Sequence, residues 1–289
     1  MLSEHGCRIA PSTYYDARDR PPSRRERRDR EVTALIEAER DTRFGRLLGA
    51  RKMWLRLRGQ GHDVARCTIE RLFRELGITG VTRAKGPRTT TPAAADEGAA
   101  RPTDLVDRQV VANRPNQLWV ADFTSVPTWD GMVYAAFIID VFSRRVIGWR
   151  VATSMTTPLV LDALEMALWV RRTEGVVDLS GLVHHTDAGS QYTSIAFTER
   201  LIEAGVDASV GTVGDAYDNA LAESHMGLFK SELIWPSGPW QDREQVELET
   251  LDWVHWFNTE RPHESIDDLT PVQVEQIHYT HRTRLAETG

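Results

Sequence analysis

Three carboxylates and one amine have the types and spacing to act on a phosphodiester: Asp122, Asp187, Glu223 and, seven residues further on, Lys230. Carboxylate oxygens are hard ligands that suit small divalent cations such as Mg²⁺. Two such ions about 3.5–4 Å apart stabilise both the attacking and the leaving oxygen of an in-line displacement at phosphorus. A site of this kind can activate water for strand cleavage and then direct the freed 3′ hydroxyl at a second strand. Thirty-five residues, 188 to 222, separate the second and third acids. Asp122, Asp187 and Glu223 are therefore the candidate catalytic residues and metal ligands, with Mg²⁺ the expected ion and Mn²⁺ its substitute.

The local sequence predicts how each acid is held. Asp122 closes the apolar run Leu118-Trp119-Val120-Ala121 and Asp187 closes Leu182 to Thr186, so both read as strand-end residues. A central-strand position would let Asp122 bridge both ions, with Asp187 completing one coordination sphere and Glu223 the other. Around Glu223 the spacing is helical, and Lys230 lies about 20° from it in azimuth, so both project from one face. Asn219, one turn earlier, shares that face and either contacts DNA or caps the helix. Gly189 to Tyr192 reads as the loop beside the second acid, with Gln191 and Tyr192 as candidate DNA contacts. Strand alternation sends His184 and His185 to opposite faces, which favours packing or hydrogen bonding over ligation. His225 beside the acidic helix face is a minor candidate, and Trp119, Trp149, Trp253 and Trp256 read as core aromatics.

These positions sit in a recognisable order of elements. Strand-like runs cover 118–124, 133–140 and 146–151, followed by a helix over 157–170 and a strand ending at Asp187. A helix over 194–204, a short strand over 208–210 and the Glu223 helix complete the set. The order predicts an α/β, ribonuclease-H-like mixed five-stranded sheet with flanking helices. A helix over 243–259 and a stop at Thr270-Pro271 form a C-terminal helical extension, so the core should span 113–289. Residues 84–112, with Thr89-Thr90-Thr91-Pro92 and Ala93-Ala94-Ala95, read as a linker. Residues 1–83 read as a small all-α DNA-binding region. Within them a helix over 50–58, a glycine turn and a helix starting at Asp63 or Thr68 give a helix-turn-helix over about 44–78. Arg66, Arg71 and Arg74 on the second helix are its candidate DNA contacts.

Composition narrows the classes. The chain has 289 residues, 41% hydrophobic and 27% charged, as expected of a globular protein of roughly two domains. No apolar run approaches the roughly 18–20 residues of a membrane span, and the first residues lack a signal-peptide core. Two cysteines, Cys7 and Cys67, exclude a disulfide framework or a four-cysteine zinc site. The expectation is a cytoplasmic, nucleoid-associated protein with no membrane partner. The net charge of −7 is unevenly spread: residues 1–90 hold 21 Lys and Arg against 12 Asp and Glu, and residues 91–289 hold 14 against 30. A basic first third can approach a polyanion, with counterion release as the driving force. The acidic remainder can do so only if cations neutralise its centre and local basic side chains make the contacts.

The segments WVADFT around Asp122, HHTDAGSQY around Asp187 and DNALAESHMGLFKSEL around Glu223 resemble the signatures of bacterial insertion-sequence transposases. The resemblance is to the type encoded by the second of two overlapping reading frames, with a core like that of retroviral integrases. It covers about Ile9 to Pro271 and rests on three motifs in order, followed by the basic residue. It implies a Mg²⁺-dependent polynucleotidyl transferase that cleaves and joins DNA strands in transposition, integration and recombination. It also implies that Lys230 touches the DNA backbone near the scissile end. A homo-oligomer on double-stranded DNA, at element ends and target, and a companion protein from the upstream frame are further implications. Arg261 and His263 match the closing motif, as either structural residues or backbone contacts. Leu48, Ser125 and Ala188 depart from the usual residues, and none of the three is a candidate ligand. The rival readings are a non-catalytic DNA-binding descendant, which the intact acid triad opposes, and a simple nuclease, which would not need the basic N-terminal helices.

Overall fold

A computed structural model describes residues 10–81, 104–106, 110–187, 191–211 and 220–288. Asn219, the loop residues 188–190 and most of the expected linker lie outside the described residues. Backbone proximity divides the chain into two units, Met1–Gly80 and Val81–Gly289.

The first unit is helical: α1 (Pro11–Asp19), α2 (Arg24–Arg40), α3 (Ala50–Gly59) and α4 (Arg66–Glu75). Helix α2 starts well before its apolar period begins, because a capping box satisfies its first amides. Ser23 Oγ accepts from the Glu26 amide at 3.2 Å and Glu26 Oε2 accepts from the Ser23 amide at 2.7 Å. Val32, Ile36, Met53, Leu57, Ile69, Leu72 and Phe73 are among the unit's buried apolar side chains. The turn between α3 and α4 passes through Gly61 at φ +89°, and Trp54 Nε1 fastens it by donating to the Val64 carbonyl at 2.9 Å. Helix α4 starts between the two expected points, with no side-chain cap at Ala65.

The second unit is built on β1 (Leu118–Thr128), β2 (Gly131–Asp140), β3 (Val146–Ala152), β4 (Val183–Thr186) and β5 (Asp207–Val210). Their order in the sheet is β3-β2-β1-β4-β5. The β1–β2 and β2–β3 pairs are antiparallel, while β1–β4 and β4–β5 are parallel. This is the mixed five-stranded, ribonuclease-H-like sheet that the element order predicts. Helices α5 (Thr157–Thr173) and α6 (Ile195–Glu203) cover one face. Trp119, Ala121, Ile138, Ile147, Leu164 and Phe197 form the core there. Gly148 lets α5 lie close on β3, since a Cβ at this position would meet the Ala163 carbonyl oxygen at 2.1 Å. On the other face α7 (Ala220–Phe229) and α9 (Arg243–Thr259) meet the sheet through rings. Phe137 stacks edge-on against His225, Phe229 and Trp253 at 5.1, 4.9 and 6.2 Å.

Two expectations need correction. Strand β1 runs on to Thr128, so Asp122 lies inside it; pairing with β2 carries the strand past the end of its apolar run. Thr270-Pro271 does not stop the chain's last element but starts it, as α10 (Pro271–Thr288). Proline is well suited to the first helical position, where no intrahelical donor is needed. Thr270 and Gln273 cap the turn reciprocally, at 2.9 and 3.3 Å. Helix α10 is fastened to the sheet by Glu275, which is buried. Its two oxygens accept from Arg171 at 2.7 and 2.8 Å, from Arg145 at 2.6 Å and from Ser143 at 2.8 Å. Arg171 also donates to Asp140 at 3.2 Å.

Candidate active site

The position of the first two acids follows from strand register. In the parallel β1–β4 pair, Trp119 faces His184, Val120 faces His185 and Ala121 faces Thr186. One further step puts Asp122 beside Asp187, the residue that follows β4. Asp122 pairs across β2 with Phe137, and Phe137 packs on α7. Asp122 therefore opens onto the face covered by the helix that carries Glu223. Asp187 and Glu223 are exposed, whereas Asp122 is half-buried and accepts the Phe123 amide at 2.8 Å.

The charges interact strongly. Burial, then the negative charge of Asp187 and that of Glu223, push the Asp122 carboxyl up to about 7, against the pull of the Phe123 amide and Lys230. Lys230 is half-buried; burial lowers its amine, and Asp122 raises it again. Burial raises the Tyr192 hydroxyl, and Asp122 and Asp187 raise it further. Among the described residues, no three acid, histidine or cysteine side chains already stand as a closed cation site. The donor set still fits a divalent cation: three hard oxygen ligands and a surplus of negative charge facing one amine.

The other candidates fall into separate groups. Gln191 Nε2 donates to the Met155 carbonyl at 3.1 Å. Tyr192, expected at the DNA, is instead buried against Phe123 and Phe197. Its hydroxyl has no hydrogen-bond partner among the described residues. In α4, Arg66 pairs with Glu70 at 2.7 Å, and Arg71 bridges Asp29 at 2.6 Å and Glu75 at 2.9 Å. Arg74 donates to the Glu70 carbonyl at 3.3 Å. Arg71 is thus committed within the unit, while Arg66 and Arg74 stay exposed. Arg261 and His263 resolve to structural residues: both are buried, and Arg261 grips Glu232 at 2.7–3.1 Å. Glu232 escaped sequence reasoning because its partner is 29 residues away and no local pattern links them.

The two histidines of β4 do face opposite sides. His185 Nδ1 lies 2.9 Å from Ser209 Oγ, and His184 packs edge-on against Phe197. Burial, helped by neighbouring His185, lowers the His184 ring from 6.5 to about 3. The sign follows directly: as pH falls below about 6.5 the unfolded chain takes up this proton and the folded chain does not, so stability declines toward pH 3. His184→Phe is expected to remove about 1.4 kcal/mol per pH unit of that decline. Urea unfolding at pH 7, 6 and 5 reads the slope, and an unaltered slope would disprove the buried neutral ring.

Sheet order, helix placement and the acids beside the middle strand define an integrase-type core, preceded by a helix-turn-helix unit. The integrase core domain family matches residues 112–216 and again 204–271, and an HTH-like domain matches residues 26–86. The chain is 54% identical to a Mycobacterium tuberculosis H37Rv protein assigned as the transposase of insertion sequence element IS986/IS6110. That match covers 96% of this chain and 99% of the relative. It is 49% identical to the transposase for insertion sequence element IS629 of Shigella sonnei, over 94% of this chain and 89% of the relative. Among solved structures, the HTLV-2 integrase catalytic core domain in complex with magnesium aligns with a TM-score of 0.44 and 18% identity, over 57% of this chain and 99% of that one. The chain belongs to the insertion-sequence transposases that carry an integrase core. Among the described residues no helix is long and apolar enough to cross a membrane.

Proposed function

We propose that the chain is a DNA strand-cleavage and strand-transfer enzyme acting at the ends of its insertion sequence through Asp122, Asp187 and Glu223. The observation that carries this reading is electrostatic: Asp122, inside the middle strand, feels Asp187, Glu223 and Lys230 at once. Asp122 would hold the inner ligand position, and Asp187 and Glu223 the outer ones. Mg²⁺, or Mn²⁺ in its place, would supply Lewis-acid neutralisation of the charge that develops on the phosphate oxygens. Lys230 would donate to a phosphate oxygen beside the scissile bond and so orient the DNA end. The ring wall of Phe137, His225 and Trp253 would keep water out of the protein side of the site. His225 stays neutral there, because burial, then the charge of Arg261, push its ring down to about 3.

The first unit would supply the general grip on duplex DNA. Arg24, Arg25 and Arg27 at the start of α2 are exposed, whereas Arg71 of α4 is held by acids of its own unit. Asn219 and Gln191 would add contacts at the DNA end. A homo-oligomer holding two ends, with a companion upstream-frame protein, fits this role, as does a cytoplasmic location with the nucleoid. The test is a nicking and joining assay with Mg²⁺ on duplexes copied from the two borders of the element. Binding without any nicking by the unaltered chain would point instead to a non-catalytic DNA-binding descendant. Removing residues 1–80 is expected to weaken duplex binding and to flatten its salt dependence by about 0.9 in log–log slope for each phosphate that the first unit neutralises. An unchanged slope would place the binding surface on the acidic core.

A further inference from the structure

The helix that carries Glu223 does not end in an ordinary way. Directly after Phe229 the chain enters a π-helical turn, Lys230–Ile234, and then a short α8 (Trp235–Ser237). Such turns are uncommon, and they tend to occur at functional sites. Lys230 is the first residue of this one. The four that follow, Ser231, Glu232, Leu233 and Ile234, are all buried.

The turn is held by side chains from outside its own backbone ladder. Ser231 Oγ donates to the Leu228 carbonyl at 3.2 Å, and Trp240 Nε1 donates to the Ile234 carbonyl at 3.0 Å. The strongest hold is on Glu232. Arg261 reaches its Oε1 from Nη2 at 2.7 Å and from Nε at 3.0 Å, and its Oε2 from Nε at 3.1 Å. The remaining arm of the guanidinium, Nη1, donates to His263 Nδ1 at 3.0 Å. His263 Nε2 lies 3.0 Å from the Phe257 carbonyl. One tautomer serves both bonds: the proton sits on Nε2, and Nδ1 accepts. Such a chain, with all three guanidinium nitrogens engaged, fixes its members more tightly than separate pairs would.

We propose that Glu232, Arg261 and His263 are positioning residues that hold the π-helical turn in register and so fix where Lys230 stands relative to Asp122. This inference rests on the DNA-end role proposed for Lys230. None of the three touches the reacting atoms; they act through the amine. A guanidinium can span both carboxylate oxygens and the imidazole together, whereas a point-like ammonium cannot.

The test compares the full chain with Lys230→Ala, Arg261→Lys and the double variant. Arg261→Lys keeps the buried positive charge but loses the fork. Affinity for a duplex copied from the element border is read at fixed salt without divalent cation, together with amide hydrogen exchange in residues 230–234. Arg261→Lys is expected to weaken duplex binding about fivefold and to speed exchange in that turn, while leaving exchange in α5 unchanged. In the Lys230→Ala background it should cost nothing more, because its effect passes through the missing amine. A full additional loss in the double variant, or unchanged exchange in 230–234, would overturn the proposal. Should Arg261→Lys melt globally, Glu232→Gln, which keeps the volume and one acceptor, takes its place under the same criteria. Neither readout requires cleavage, so an inactive but correctly coupled chain would defeat the catalytic reading and leave the positioning role standing.

Discussion

Glu223→Gln should abolish strand cleavage while leaving the DNA bound. The substitution keeps the side chain's size and removes the charge that a divalent cation needs from its third ligand. Losing that neutralisation at the transition state is expected to cost about 4 kcal/mol of barrier, roughly a thousandfold in rate. Binding should hold or tighten slightly, since one acid facing a polyanion has gone. Glu223 is exposed on α7, whose buried side is made by Ala222, His225, Met226 and Phe229, so the fold should not notice the change. Nicking and gel-shift assays on the same border duplex, with Mg²⁺, separate the two effects. Cleavage at the unaltered rate would remove Glu223 from the site. A parallel loss of binding would show that the residue grips DNA and not the cation.

The second large effect concerns stability. Glu275→Ala takes the two shortest bonds from the fully buried Arg171 guanidinium, which keeps Asp140 and Glu174, and takes one partner from Arg145. Breaking a buried ion pair on one side costs up to about 3–5 kcal/mol, and the two carboxylates left to Arg171 place this loss near the lower end. For a unit of this size that corresponds to a fall of roughly 10 °C in melting temperature. The pH dependence has a definite sign. Burial alone would raise the Glu275 carboxyl, but the bonds and charges of Arg171 and Arg145 hold it below its ordinary value of 4.5. Its stabilisation is therefore present above that value and lost as pH falls through the lower folded-state value. The original chain and Glu275→Ala should differ most near neutrality and converge in acid. Calorimetry at pH 7, 5 and 3 reads the gap, and a gap that widens in acid contradicts the assignment.

Elements with a strong internal period were legible from the chain alone. The order of five strands and the helices over 157–170, 243–259 and around Glu223 needed only apolar spacing. Asp122, Asp187 and Glu223 stood out because they close or interrupt such patterns. What escaped was decided by partners remote in sequence. Pro271 has the same local look whether it ends one element or begins another, and the reciprocal bonds of Thr270 and Gln273 decide which. Glu232 and Glu275 look like surface acids on their own, yet arginines 29 and 104 residues distant bury them. Tyr192 reads as a loop residue, and only Phe123 and Phe197 reveal it as core.

The parallel register between β1 and β4 acts as a ruler. Neighbouring strands lie about 4.8 Å apart whatever their sequences, so the gap between the first two acids is set by backbone repeat and not by the chain that joins them. Loops such as 153–156 or 174–181 can lengthen or shorten without altering that gap. A single residue inserted within 183–186 would instead turn Asp187 to the opposite side of the sheet, leaving composition and fold nearly intact. Length is thus a tolerant variable across most of this core and an intolerant one over the paired stretches 118–121 and 183–186.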